Sequence, residues 1–214
     1  MRPTQPNASA VAIVGAGAIG QSVGRLLARA GRPLVVTWST NQQRLEQAAR
    51  QIGFEARCAP PAEAVRLSEI VIFAPRFEHV GAASRAVGSL TGKVLIDTTN
   101  PYTPERDALV DLGGQLPSEY VRDWLPGARY VKGFNTLTAG FLTESAGRTR
   151  ADRVVIFLSG DDHDAKRAAA SVVRDAGFEP VDAGSVAGSA RQSPGGDLYG
   201  EEFHLADVPT LPRL

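Results

Sequence analysis

The chain has 214 residues, 43% of them hydrophobic, and Lys+Arg and Asp+Glu both total 23, so the formal charge is zero. That is enough apolar material for one large domain with a full core, and the charge balance excludes a strongly basic face and with it a nucleic-acid partner. One cysteine (Cys58), three scattered histidines (His79, His163, His204) and no apolar run near the ~20 residues of a membrane span exclude an internal disulfide, a metal-ligand cluster and a membrane-spanning segment; a reducing, cytoplasmic location is expected.

Residues 1–10 carry Pro3, Pro6 and Asn7 without an apolar centre and read as a flexible tail rather than a signal peptide. Val11 to Gly20 then reads as a buried strand, a glycine turn and the opening of a helix. Gly15, Gly17 and Gly20 make a G-x-G-x-x-G pattern. In a dinucleotide site each has a task. Gly15 turns the chain out of the strand, Gly17 lets a pyrophosphate approach the backbone, and Gly20 packs the helix on the strand. The helix start adds unpaired N–H groups and the positive end of its dipole. The pattern alone is weak, but its context is the required one. Ile19, Val23, Leu26, Leu27 and Ala30 repeat at helical spacing, Gly31 and Pro33 stop the helix, and Leu34 to Val36 forms a second strand.

Further on, Asn41 is placed to cap a helix with Leu45, Ala48, Ala49 and Ile52 on its apolar face. A third strand is expected over 54–58, short helical turns over 62–67, and a fully buried strand over Ile70–Ala74. A helix marked by Val80, Ala83, Val87 and Leu90 precedes a strand at Val94–Ile96. Residues 101–128 are irregular apart from a short amphipathic helix around Val121, Trp124 and Leu125. Strands follow at Arg129–Phe134 and Arg153–Leu158, then a helix opening at Gly160–Asp164 and a last strand at Phe178–Val181. The acids at 161, 162 and 164 suit a helix N-terminus. This alternation predicts an α/β fold, a Rossmann-type doubly wound, mainly parallel sheet over 11–184, with a C-terminal arm over 185–214. The cofactor crevice is expected between the first and fourth strands.

At the end of the second strand stand Thr37, Trp38, Ser39 and Thr40, with no carboxylate to hold ribose hydroxyls. Ser39 and Thr40 supply hydroxyls and Arg44 a forked cation, so a 2′-phosphate, and therefore NADP(H), is favoured over NAD. Trp38 either stacks on the adenine or is simply buried. Ala74, Pro75 and Arg76 follow the fourth strand and offer backbone to the ribose and nicotinamide. His79 is either a proton donor or an ordinary first-turn residue. Asn100 is either functional or a turn former before Pro101. Asn135 and Thr136 either contact the nicotinamide carboxamide or are structural. No nucleophile–base pair, carboxylate pair or metal set is readable, so no catalytic side chain is assigned. Direct hydride transfer needs none, because the cofactor carries the chemistry.

The elements Gly15-Ala16-Gly17-Ala18-Ile19-Gly20, Pro75-Arg76-Phe77-Glu78-His79, Asp97-Thr98-Thr99-Asn100-Pro101, Val131-Lys132-Gly133-Phe134-Asn135-Thr136, Gly160-Asp161-Asp162 and Val181-Asp182-Ala183-Gly184 with Arg191 occur in this order. In this the chain resembles the NADP oxidoreductases dependent on coenzyme F-420, a deazaflavin; similar domains occur in membrane metalloreductases. The resemblance implies that Gly15, Gly17, Ala18, Ile19 and Gly20 hold the pyrophosphate. It likewise implies that Ser39, Thr40 and Arg44 hold the 2′-phosphate, and that Ala74, Pro75, Arg76, Asn135 and Thr136 line the nicotinamide side. It further implies hydride transfer between NADPH and coenzyme F-420 or a flavin-like small-molecule acceptor.

Two alternatives stand beside that expectation. One is a non-catalytic NADP(H)-sensing module. The other is a β-hydroxyacid dehydrogenase or imine reductase, for which too few residues follow Gly184 to build the large helical domain. The apolar residues Leu198, Tyr199, Phe203 and Leu205 predict that the arm packs on its own domain or crosses to a second subunit, and a two-fold homodimer is expected.

Overall fold

A computed structural model describes residues 10–53, 56–149 and 152–214. Eight strands form one sheet: β1 (Ala10–Val14), β2 (Leu34–Thr37), β3 (Ala56–Cys58), β4 (Ser68–Phe73), β5 (Val94–Asp97), β6 (Arg129–Lys132), β7 (Val155–Ser159) and β8 (Glu179–Gly184). Their order is β3-β2-β1-β4-β5-β6-β7-β8. The first six strands are parallel and reverse direction of winding between β1 and β4, so the crevice lies where the sequence places it. Among the described residues the α-helices are α1 (Ala18–Arg29), α2 (Gln42–Ile52), α3 (Pro61–Arg66), α4 (Val80–Val87), α5 (Pro117–Trp124), α6 (Ala139–Ser145) and α7 (His163–Asp175).

Strand periodicity sorts the core into two layers. Val11 and Ile13 face the side covered by α1, α2, α6 and α7, with Val23, Leu27, Leu45, Leu142 and Val173 against them. Ala12 and Val14 face the other side, under α3, α4 and α5, with Val65, Ala83, Val87 and Val121. On that second side, among the described residues, no α-helix covers β7 and β8. The C-terminal arm does so instead, burying Leu198 and Val208 and packing Phe203, Leu205 and Leu211 on Val155, Phe157 and Val181. The arm also pairs with the outer edge of β8, where Asp182 N donates to Pro212 O (2.8 Å) and Leu214 N to Pro180 O (3.3 Å). An otherwise open sheet edge is thereby covered. In this chain the arm packs on the sheet of its own domain.

Several boundaries differ from the sequence reading. Ala10 belongs to β1 rather than to the tail; the rest of that tail, 1–9, lies outside the described residues. Of the expected strand 54–58, Ala56–Cys58 is a strand and 54–55 lie outside the described residues. β6 stops at Lys132 because Phe134 takes a positive φ of 57°, which no strand residue adopts. Two elements lacked a clear period in the sequence: α6, capped by the Thr138 hydroxyl accepting from Phe141 N, and a 3-10 helix at Ala187–Gln192. α6 packs on α1, with the Ser22 hydroxyl donating to Ala139 O (3.1 Å). The chain then re-enters the sheet from the other end, so β7 meets β6 antiparallel at Lys132–Ser159, and β8 follows β7 in parallel.

That reversal carries the Gly160–Asp164 turn away from the crevice to the start of β6. Asp162 caps α7 by accepting from Ala165 N (2.9 Å) and receives both arms of Arg129 (2.7 and 3.0 Å). The Arg129 hydrogen bond, then the helix N–H, hold its carboxyl well below the usual carboxylate range. A lowered folded-state pKa contributes stability above the unfolded value and loses it as pH falls toward the folded one. Asp162→Asn should therefore destabilise the protein at pH 7. In urea titrations the gap to the unmodified protein should shrink as pH is taken below about 4; a gap independent of pH would contradict the assignment.

Candidate functional site

The crevice is built from backbone before side chains enter. Gly15 leaves β1 with φ +109°, and a Cβ there would lie 2.6 Å from the carbonyl oxygen of Ala74. A Cβ on Gly20 would lie 2.3 Å from the carbonyl oxygen of Gly15, so α1 sits directly on the turn. Gly17 is different. Its φ is −79° and its ψ −176°, which any residue can adopt, and a Cβ there would meet no atom within 4 Å. The protein's own packing does not demand glycine at 17; the space belongs to the crevice. Gly17 is also the N-cap of α1, whose first turn carries no acid and whose cap makes no side-chain hydrogen bond. The N-terminal N–H groups thus stay available to an anion.

From there a cleft runs between the ends of β1, β4 and β5. Gly17, Ala18, Ile19, Ala74, Pro75 and Arg76 line it on one side, and Thr98, Thr99, Asn100, Tyr102 and Arg106 on the other. The strand ends are fixed by main-chain bonds: Ala74 N donates to Val14 O (2.8 Å) and Thr98 N to Phe73 O (3.0 Å). Thr99 is 3% exposed, and its hydroxyl has no hydrogen-bond partner. A buried hydroxyl lacking a partner at a cleft wall fits a polar ligand. Arg76 is held by Glu78 (3.1 Å) and by the carbonyl of Pro104.

The β2 end forms a second corner. Trp38 takes a positive φ of 58°, rare for a bulky side chain. Its ring is half-buried and meets His79 edge-on at 5.9 Å between centroids. His79 also lies 3.8 Å from Glu78, and it is not among the residues lining the cleft. Ser39 accepts from Asn41 N (3.2 Å), and Asn41 caps α2 by accepting from Arg44 N (3.1 Å). Thr40 and Arg44 are exposed beside them, and among the described residues no carboxylate pairs with Arg44. The structure thus brings Ser39, Thr40 and Arg44 to one turn.

Asn135 and Thr136 are placed otherwise. Both are buried under the arm and neither lines the cleft. The Asn135 amide donates to Asn100 Oδ1 (3.0 Å) and Gln192 O (2.8 Å), while Asn100 Nδ2 donates to Asn135 O (2.8 Å). Thr136 O accepts from Gly200 N (3.0 Å). Asn135 is thus bonded to Asn100, which itself lines the cleft.

The sequence reading gave no role to a buried ion pair beneath this wall. Asp97 and Lys132, 0% and 1% exposed, meet at 2.7 Å. Asp97 also accepts from Tyr130 Oη (2.6 Å) and Thr99 N (2.9 Å), and Lys132 donates to Thr99 O. Burial, then the Asp97 charge, push the Tyr130 phenol well above its ordinary pKa. Both strand ends and the Thr98–Asn100 segment are tied to one point. The signal was present as an Asp at the end of one strand and a Lys at the end of the next, but only adjacency in the sheet makes them a pair.

Residues 10–101 match the family described as NADP oxidoreductase coenzyme F420-dependent. Over those residues the chain is similar to that family. It is 30% identical to a hypothetical protein of Sinorhizobium meliloti, SMa0349, covering 92% of this chain and 95% of that one with a TM-score of 0.82. It is 32% identical over 185 residues to the rat metalloreductase STEAP3, which covers 85% of this chain and 35% of STEAP3. The chain thus spans about a third of that relative's length. An Arthrobacter protein described as an F420-dependent NADP-reductase shares the fold at 24% identity, with a TM-score of 0.71 over 85% of this chain and 86% of that one. The family match contains the glycine turn, the β2 corner and Ala74–Arg76. Tyr102, Arg106 and Lys132 lie beyond it. Among the described residues, no helix is long and apolar enough to cross a membrane, and no group of three or more His, Cys, Asp or Glu could hold a metal.

Lys132→Met should leave Asp97 buried without its cation and cost about 3–5 kcal/mol in urea unfolding. A loss below about 1 kcal/mol would mean that the pair does not hold the wall together.

Proposed function

We propose that this protein passes a hydride between NADPH and a deazaflavin, coenzyme F-420, or a flavin-like acceptor. The observation that carries the reading is the cradle at Gly17: unstrained backbone, open space where a Cβ would stand, and a helix start with no acid of its own. The unpartnered Thr99 hydroxyl adds to the fit. Gly15, Gly17, Ala18, Ile19 and Gly20 would hold the pyrophosphate through main-chain N–H groups. Ser39, Thr40 and Arg44 would take the 2′-phosphate, with the Arg44 fork supplying charge-assisted bonds. Ala74, Pro75, Arg76 and Asn100 would line the nicotinamide side, with Asn135 and Thr136 behind them.

When bound, the dinucleotide would supply a hydride to the acceptor ring, with solvent supplying the balancing proton. The chain's own contribution is placement. The Gly15–Ala74 contact fixes the depth of the cleft, and Ile19, Ala74 and Pro75 give it apolar walls that exclude water from the reacting faces. Asp97 and Lys132 hold Thr98–Asn100 opposite.

The reading is tested by following NADPH and NADH oxidation with coenzyme F-420, FMN, FAD and ferric acceptors. Turnover with a ring acceptor is expected; nucleotide binding without consumption by any acceptor would instead favour the sensing module. Gly17→Val should cost about 1 kcal/mol or less in folding and lower NADPH affinity at least about tenfold by calorimetry. Full affinity in that variant would refute the cradle. Arg44→Ala should raise the dissociation constant of NADPH about tenfold and leave that of NADH nearly as it was. An equal rise for both would remove the 2′-phosphate assignment.

A further inference from the structure

The segment between β5 and α5 carries a feature beyond the family match. Residues 101–110 make a tight excursion. Tyr102 and Leu109 form an antiparallel bridge, Val110 N donates to Pro101 O (2.7 Å), and Arg106 N donates to Thr103 O (2.9 Å). Arg106 stands in this turn with φ +65°, a conformation that L side chains rarely adopt. It folds its guanidinium over the Tyr102 ring, 5.4 Å from the centroid, and lines the cleft.

The neighbouring groups leave that guanidinium unclaimed. Among the described residues no carboxylate lies within 4.0 Å of it. Its sequence neighbour Asp107 accepts instead from the Thr103 hydroxyl (2.8 Å). The other guanidinium of the cleft, Arg76, is already neutralised by Glu78. The platform beneath Arg106 is itself braced: Tyr102 Oη lies 3.1 Å from Tyr199 Oη of the arm, and Tyr199 accepts from Asn100 Nδ2 (3.5 Å). A planar cation stacked on a braced ring, with its donors open to the cleft, suits a phosphate ester that approaches in its plane. It belongs to the loop that follows β5, with β1 and β4 between that strand and β2, whose end carries the Ser39–Arg44 corner that would take the dinucleotide's own 2′-phosphate.

We infer that Arg106 is the residue that selects acceptors carrying a phosphate on the side chain of their ring. The inference rests on the hydride-transfer reading for the identity of the acceptor, but its binding test does not depend on turnover. FMN and riboflavin share one ring system and differ in the phosphate. Both are titrated calorimetrically into the full chain loaded with NADP+, and both serve as acceptors for NADPH. The unmodified protein is expected to prefer FMN. Arg106→Ala should lower that preference about tenfold in dissociation constant and in kcat/KM. Arg106→Lys, which keeps the charge and loses the fork, should fall between the two. Circular dichroism and the dissociation constant of NADPH check that the variant is folded.

An unchanged FMN preference, or failure of both compounds to bind, overturns the inference. So does a tenfold weakening of NADPH in Arg106→Ala with the preference intact, since the cation would then serve the dinucleotide. Phosphate-dependent binding lost in Arg106→Ala, with neither flavin nor coenzyme F-420 reduced, would uphold the inference and overturn the hydride-transfer reading.

Discussion

The crevice depends on a contact between two backbones with no side chain between them. Gly15 turns against the carbonyl of Ala74, and Gly20 turns against the carbonyl of Gly15, each closer than any Cβ would allow. These approaches bring the end of β1 against the end of β4 and seat α1 on the turn that leads into it from β1. Everything that lines the cleft is referenced to that contact. A methyl group at either position would have to move a strand end or a helix, because the atoms in the way are main chain and cannot rotate aside.

The opposite wall is fixed by other means. Asp97 and Lys132 are charged and fully buried, a costly arrangement unless both are completely bonded. Here the carboxylate also takes Tyr130 Oη and Thr99 N, and the ammonium takes Thr99 O, so the pair is satisfied while it pins a loop. Beyond it a polar chain continues through Asn100, Asn135 and Gln192 to Ser159. The arm is thus joined to the site from behind, and Tyr199 reaches Tyr102 from the same side. One wall is set by the absence of side chains and the other by buried polar ones. Strain collects at their ends: among the described residues, Trp38, Phe134 and Arg106 are the non-glycine residues with positive φ, the first two following β2 and β6 and the third lining the cleft.

The buried strands and amphipathic helices of the first hundred residues were legible because local pattern and final environment agree there. Ile70–Phe73 is apolar throughout and buried throughout, and Asn41 caps the helix it precedes. Agreement weakened where the period was short or shared. α6 has seven residues and two buried positions, too few to register as a helical face. Asn135 and Thr136 follow β6 and are buried, with Asn135 bonded to Gln192 O and Thr136 O to Gly200 N, both more than fifty residues later; no local rule anticipates those partners. Tyr102 and Arg106 lay in a stretch read as irregular, and a turn with positive φ at an arginine leaves no signature in composition.

From its residues alone the chain determined an alternating α/β fold, the strand order around β1, the glycine turn and the set of hydroxyls and cation after β2. All of these are encoded within a turn or two of the chain, as period, cap and steric permission. The tertiary structure alone decided which way β7 enters the sheet, what covers β7 and β8, and which polar residues meet across strands. Those outcomes are contacts between residues far apart in sequence, and they are chosen by what remains to be buried or paired once the local elements have formed.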